Sequence, residues 1–353
     1  MNAAQVRADA ADLQAFCVRV LEALGASSSD ARIVADSLVD ADLRGLDDHG
    51  VPARLPNYVA RLRAGGIVPD GSRRVVADAG AVIGFDAGDG FGQVAAREGM
   101  QVAMDRAQLH GIGIVGVHRS NHLGALSYWT RMATQAGTVG FAVSGAAARI
   151  APWGGAEPLL GTNPWSVGFP TAGDAPPFVV DVSNGAVLSG ELVRADEAGE
   201  QIPVGWALDQ DGRPTRSPKS GMIGSMLPFG GAKGAALTLA LEVLASVFTG
   251  AAFSRHVPDL NDLEQPQRLG HVFAALPVDA FVTADAFTSR LEELLGWIEH
   301  SKPAEGVGEV RIPGVRGERT RERRLAEGIP MSGRTAALWA LAGDVGVRAL
   351  EVR

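Results

Sequence analysis

The sequence predicts an α/β protein with a flanking helical domain. Two changes of texture carry that prediction. Residues 1–65 hold three runs of helical periodicity. From about Val75 short β-rich runs split by Gly and Pro take over, and after Gly221 helical patterns return. Taken in order, the first helix places Leu13, Phe16, Cys17, Val20 and Leu24 on one face and ends at Gly25. The second starts at the cap signal Ser27-Ser28-Ser29-Asp30 and ends near Gly45, and the third runs from about Arg54 to Ala64. Strands are expected at Ala81–Phe85, Ile112–Val117, Val139–Val143, Ser166–Phe169 and Phe178–Val182, with a helix from about Gln93 to His110 joining two of them. Later helices are expected at about Lys233–Thr249 and Asp285–Glu299, with a final run from Ser332. Ala195–Leu227, rich in Gly, Pro and charge, reads as a surface excursion. The division that follows is a helical domain over 1–74 completed by 285–353, and an α/β domain over 75–284.

Two stretches carry chemistry. In the first, Arg44-Gly45-Leu46-Asp47-Asp48-His49-Gly50 is followed by Arg54 and Tyr58, four apart and so on one helix face. Arginine offers a planar fork for a carboxylate, and histidine moves protons near neutral pH. In the second, the apolar run ending at Val117 leads into His118-Arg119-Ser120-Asn121-His122 and a helical pattern from Leu123 to Ala136. With Ser120 or Asn121 as its cap, His122 falls in the first turn, where the helix dipole disfavours imidazolium. A neutral histidine there can donate to a carbonyl oxygen. Each stretch also has an ordinary reading, as an acid-rich helix start and a capping histidine.

Composition narrows the class. A formal net charge of −8 argues against nucleic-acid or anionic-membrane partners. The lone Cys17 excludes an internal disulfide and fits a reducing cytoplasm. The histidines show no metal-ligand spacing, so no metal is expected. Gly234–Phe253 is almost uncharged, but Glu242 sits near its middle and no basic cluster flanks it; this fits a core or subunit-interface helix rather than a bilayer span. Gly88-Asp89-Gly90-Phe91-Gly92 before a helix lacks the βαβ context of a dinucleotide fingerprint and reads as a turn with close backbone packing.

The chain resembles the malate/L-lactate dehydrogenase type 2 family of nicotinamide-dependent oxidoreductases over nearly its whole length. The resemblance rests on the Arg-Gly-x-Asp-x-His-Gly segment, Ser120-Asn121-His122, Ala151-Pro152-Trp153-Gly154-Gly155 and Leu160-Gly161-Thr162-Asn163-Pro164. It extends through Ile202-Pro203-x-Gly205-Trp206-Ala207, Gly230-Gly231-Ala232-Lys233-Gly234 and Gly270-His271-x-Phe273. It implies a non-Rossmann fold with a mixed sheet, NAD or NADP as cofactor, a homodimer, and a small carboxylic acid as substrate. It further implies that His49 belongs to a proton relay with Asp48 and a downstream acid, for which Glu191 is the candidate; these carboxylates would orient His49 and raise its pKa. His122 is the alternative donor, beside the nicotinamide. Arg54, Tyr58 and Thr162 are implied for the substrate. Ser120, His122, Gly154, Asn163, Asp181, Val182, Ser183, Lys233 and Gly234 are implied for the cofactor.

The chain also departs from the family pattern. Asp48 stands where Ser is usual, Arg54 follows His49 by one residue more than usual, Ser144-Gly145 replaces Thr-Asn, and Ser183-Asn184-Gly185 lacks the usual Ala-Thr-Ser. An added carboxylate at Asp48 repels a dicarboxylate by about 1–4 kcal/mol at close range and favours an amine or iminium. Three functions follow: reduction of small 2-oxo acids, reduction of cyclic or open imino acids such as piperideine- or pyrroline-2-carboxylate, or a non-catalytic cofactor-binding homologue.

Overall fold

A computed structural model of the chain describes residues 6–173, 175–331 and 333–353. A short strand β1 (Arg7–Ala8) precedes α1 (Ala10–Glu22), α2 (Ser28–Leu43), a 3-10 turn at Asp47–His49, and α3 (Val51–Ala64). Caps match the sequence signals: Ser27 accepts the Asp30 amide at the start of α2, and Gly65 closes α3 in the left-handed conformation. Next come β2 (Arg74–Asp78), β3 (Val82–Asp86), α4 (Gly92–His110), β4 (Gly113–Ser120), α5 (Leu126–Gln135) and β5 (Thr138–Ser144). Then follow β6 (Ala148–Ile150), β7 (Leu160–Gly161), β8 (Trp165–Phe169), β9 (Phe178–Val182), α6 (Ser189–Glu197), β10 (Ala207–Leu208), α7 (Pro218–Ile223) and β11 (Ser225–Met226). After α8 (Gly231–Glu242) and a π-helical turn, Val243–Val247, the chain ends with β12 (Leu269–Pro277), α9 (Ala284–Glu299), α10 (Val315–Glu327), β13 (Ile329–Pro330) and α11 (Thr335–Val345). The final helix start expected at Ser332 lies outside the described residues.

The main sheet is mixed, in the order β2-β3-β4-β12-β5-β8-β9, with β3 and β4 parallel and the other pairs antiparallel. Its centre is β12, which the sequence patterns did not mark as a strand. Leu269 to Ala275 are all buried, so the strand shows no alternation. One face carries α4 and α5 over a core that includes Phe85, Met100, Val115, Trp129 and Phe273. The other carries α8 and the π-turn over Val143 and Val272.

A separate core unites the N-terminal helices with the chain's end: Leu13, Phe16, Leu38, Leu55 and Tyr58 pack with Ile329, Met331, Leu338 and Leu350. The stretch read as a surface excursion contributes to a small core of its own. Val187, Leu192, Ala195, Ile202, Ala207 and Met226 close with Ile150 and Leu160 beside a second sheet, β10-β11-β6-β7. No helix among the described residues is long and apolar enough to cross a membrane.

Candidate active site

The site forms where β4 leaves the sheet. Past Ser120, which is fully buried, the chain turns through Asn121 and His122 over the amino end of α4. A β-carbon at Gly92 would lie 2.1 Å from the Asn121 carbonyl oxygen and 2.6 Å from that of His122, the close backbone packing expected of the glycine-rich turn. Asn121 Nδ2 donates to the carbonyls of Asp89 (2.8 Å) and Gly90 (2.9 Å). Its Oδ1 accepts from the Gln267 amide (3.0 Å) and from Arg61 Nη2 (3.2 Å). The His122 amide donates to Gln267 Oε1 at 3.1 Å. The His122 backbone is thus held against both α4 and the loop before β12.

This arrangement corrects one local expectation. The helix after β4 begins only at Leu126, with Ala125 as cap, so Ser120 and Asn121 do not cap it and His122 lies outside its first turn. The polar segment around His122 spends its hydrogen bonds on Asp89, Gly90 and Gln267 instead of starting a helix. Asp181 supplies the missing cap from β9, its Oδ2 accepting the Ser127 amide at 2.7 Å.

From α3, Arg54 and Tyr58 face His122. Tyr58 is 1% exposed; its Oη lies 2.7 Å from His122 Nδ1 and accepts from Gln93 Nε2 at 2.7 Å. The His49 ring stacks on His122 with centroids 5.7 Å apart. Arg54 Nε is buried without a partner. Burial and the Arg54 charge push His49 down to about 4 and His122 well below the ordinary histidine value, while burial raises Tyr58 to about 12 against the pull of Arg54. Buried His271 neighbours the group: its Nδ1 is 3.0 Å from Ser144 Oγ, and burial lowers it to about 3. Both rings, His49 and His122, are therefore neutral at pH 7 beside the Arg54 guanidinium, whose buried Nε has no hydrogen-bond partner among the described residues.

The relay expected around His49 does not form as expected. Its pKa is lowered, not raised, because burial and Arg54 outweigh any acid nearby. Glu191 pairs with Arg194 instead. Asp48 lies against the start of α6: a β-carbon at Gly190 would meet its Oδ2 at 2.0 Å. The segment order was legible, but the partner choice of Glu191 is a matter of helix spacing, since Arg194 follows it by three residues.

The remaining expected residues fall in two neighbouring groups. Asn163, fully buried, donates to Glu242 Oε2 at 2.6 Å, and the carbonyl of Thr162 accepts the Asn184 amide at 2.9 Å. Glu242 also accepts from the Gly161 and Ser254 amides. The central charge of the apolar segment therefore serves to hold the Thr162-Asn163 loop. The second group is the amino end of α8. Gly230 and Gly231 have positive φ, no side chain caps the helix, Lys233 is exposed and Gly234 is buried. Trp153 lies over Gly231, within 3.4 Å of where a β-carbon would sit, which brings the Gly154 turn alongside. An uncapped helix start with a free lysine fits the phosphates of a dinucleotide. Val182, exposed, and Ser183, half-buried, follow Asp181 at the edge strand.

Sequence reasoning missed Gln93, Arg61 and Gln267, whose partners lie far away along the chain. Only Gln93 carried a signal, directly after the glycine-rich turn. Among the described residues no group of three or more His, Cys, Asp or Glu is placed to hold a metal.

Comparison with known proteins bears on this geometry. The family model for malate/L-lactate dehydrogenase matches residues 8–338. The malate dehydrogenase of Pyrococcus abyssi is 36% identical, over 98% of this chain and 97% of that protein. Among solved structures, the sulfolactate dehydrogenase of Methanocaldococcus jannaschii superposes with a TM-score of 0.90 at 32% identity, covering 97% of this chain and 98% of that one. The Δ1-piperideine-2-carboxylate reductase of Pseudomonas syringae pv. tomato superposes with a TM-score of 0.86 at 29% identity, covering 95% and 99%.

Proposed function

The chain belongs to the malate/L-lactate dehydrogenase family, and from that premise we propose that it is a nicotinamide-dependent oxidoreductase, using NAD or NADP, that reduces the C=O or C=N carbon of a small 2-oxo or 2-imino carboxylic acid. The observation that carries this reading is the uncommitted Arg54 guanidinium beside the Tyr58–His122 pair. Arg54 grips the substrate carboxylate as a fork. That grip sets the adjacent carbon near His122, which donates a proton to the oxygen or nitrogen as the carbon is reduced. The lowered pKa of His122 keeps its ring neutral, with one N–H still available to donate to a carbonyl. His49 stacks on His122 and helps exclude water. When bound, a reduced nicotinamide would supply the hydride. Lys233 and Gly234 at the α8 start, with Gly154, Val182 and Ser183, are the residues that would hold it, whereas Ser120, Asn163 and Asp181 are committed within the fold.

One feature favours imino acids within this class: the additional carboxylate of Asp48, next to His49 in the chain, which favours an amine or iminium. Asp48→Ser should then shift preference towards 2-oxo acids, and an unchanged ratio removes the selectivity argument. A homodimer completes the reading, supported by Leu239 of α8, Val243 of the π-turn and Phe248 just past it, all exposed; a monomer in light scattering contradicts it. The lone cysteine supports a cytoplasmic setting.

The test is oxidation of NADH and of NADPH against 2-oxo acids, cyclic imino acids and the methyl esters of both. Turnover of at least one acid, with its ester inert, is expected. No turnover across the panel, or esters reduced as fast as acids, contradicts the proposal.

A further inference from the structure

Gln93 is the second residue of α4, directly after the glycine that packs on His122, and it is 1% exposed. Its amide nitrogen donates to Tyr58 Oη at 2.7 Å, and the same oxygen lies 2.7 Å from His122 Nδ1. A phenol has one proton to give. If Oη accepted from both neighbours, its own O–H would be stranded in a buried site, at a cost of about 1–3 kcal/mol. With Gln93 donating, the Tyr58 O–H points to Nδ1. Gln93 Oε1 has no hydrogen-bond partner among the described residues, so Nε2 is the atom of the amide engaged with Tyr58.

We infer that Gln93 is a positioning residue: by donating to Tyr58 it fixes the direction of the Tyr58–His122 hydrogen bond and leaves the proton of the neutral His122 ring on Nε2. That nitrogen has no hydrogen-bond partner among the described residues, so it is the one available to a substrate. The inference rests on His122 as the proton donor and adds the group that sets its tautomer.

The arrangement has a directional consequence. In reduction, Nε2 gives its proton to the alkoxide oxygen or amide-like nitrogen forming on the substrate, and Nδ1 takes the Tyr58 proton. The resulting phenolate keeps the Gln93 hydrogen bond and faces the Arg54 charge. An alkoxide is a stronger base than a phenolate, so the proton moves downhill even though burial makes this phenolate costly. Solvent returns the proton after product leaves. Protonating His122 at rest would instead require Nδ1–H and Gln93 to donate to the same oxygen, which the chain geometry opposes.

The test reads the tautomer directly. Nitrogen-15 NMR of the histidine-labelled protein near neutral pH, with His122→Gln to assign the signal, should show His122 Nδ1 unprotonated and Nε2 protonated. In Gln93→Glu the carboxylate accepts the Tyr58 O–H, so the pattern should reverse to Nδ1–H, and kcat should fall by roughly tenfold or more with substrate KM little changed. A protonated Nδ1 in the parent protein overturns the inference without any variant. So does a Gln93→Glu protein that folds and keeps the parental tautomer. If the tautomer is as expected but His122→Gln turns over normally, the donor reading fails while the role of Gln93 in setting the tautomer stands.

Discussion

At the scale of single residues, the site is an arginine fork facing a neutral histidine anchored by a buried tyrosine. Arg54→Lys keeps the charge and loses the fork, so substrate KM should rise about tenfold with a smaller fall in kcat. Steady-state kinetics check this, and a Lys variant that matches the parent on every carboxylate removes Arg54 from the clamp. The depressed pKa values have a second consequence. His49 titrates near 4 and His122 well below its ordinary value, so kcat for reduction should show no limb near pH 6.5; a clear inflection there would mean that a histidine with an ordinary pKa governs turnover. The participants Arg54, Tyr58, His49 and His122 were legible in the sequence because a four-residue helical spacing and a strand-to-loop exit place them by local rules. Gln93 and Gln267 were not, because each meets its partner across elements distant in sequence.

Elements set these residues in place. The first turn of α4 touches the backbone beneath His122, with no room for a β-carbon at Gly92. Since backbone rather than a flexible side chain lies there, Gly92→Ala should displace the 121–122 segment, lower stability by about 1–3 kcal/mol and reduce turnover disproportionately. Denaturant unfolding alongside kinetics decides it, and parental values for both contradict the packing argument. The start of α3 is held by Asp42 of α2, whose buried Oδ2 accepts the Val51 amide at 2.8 Å. Burial raises Asp42 to about 7. A carboxylate raised in the folded state contributes stability that is present below its unfolded pKa of about 4 and lost as pH rises through about 7. Asp42→Asn keeps an acceptor and removes that loss. Its stability relative to the parent should therefore climb between about pH 5 and pH 7, by up to about 1.4 kcal/mol per pH unit. Urea unfolding at both ends of that range checks the slope, and a flat difference contradicts it. Helix boundaries were read best where a cap residue exists, as at Ser27. They failed at α5, whose cap, Asp181, comes from β9 and not from its own sequence.

For the whole molecule, the alternation of helical and β-rich texture announced the α/β class, but not its centre. The strand β12 is buried on both faces and pairs with β4 and β5, so neither alternation nor neighbouring sequence marks it. His271 rides on that strand, which is why its place behind His122 emerged only from the fold. The small core beside the stretch 195–227 was not legible for a related reason: its apolar residues are too few to suggest a core until they meet Ile150 and Leu160. The central claim is that the helical layer delivers Arg54 and Tyr58 to a histidine on the sheet, making one cleft for acid recognition and proton donation. The most direct measurement compares kcat for the best 2-oxo or imino acid at saturating cofactor in His122→Gln and the parent. A fall of roughly a hundredfold or more, with the circular dichroism spectrum and the dissociation constant of the substrate carboxylate essentially retained, is predicted. Turnover within a factor of about two of the parent would contradict the account.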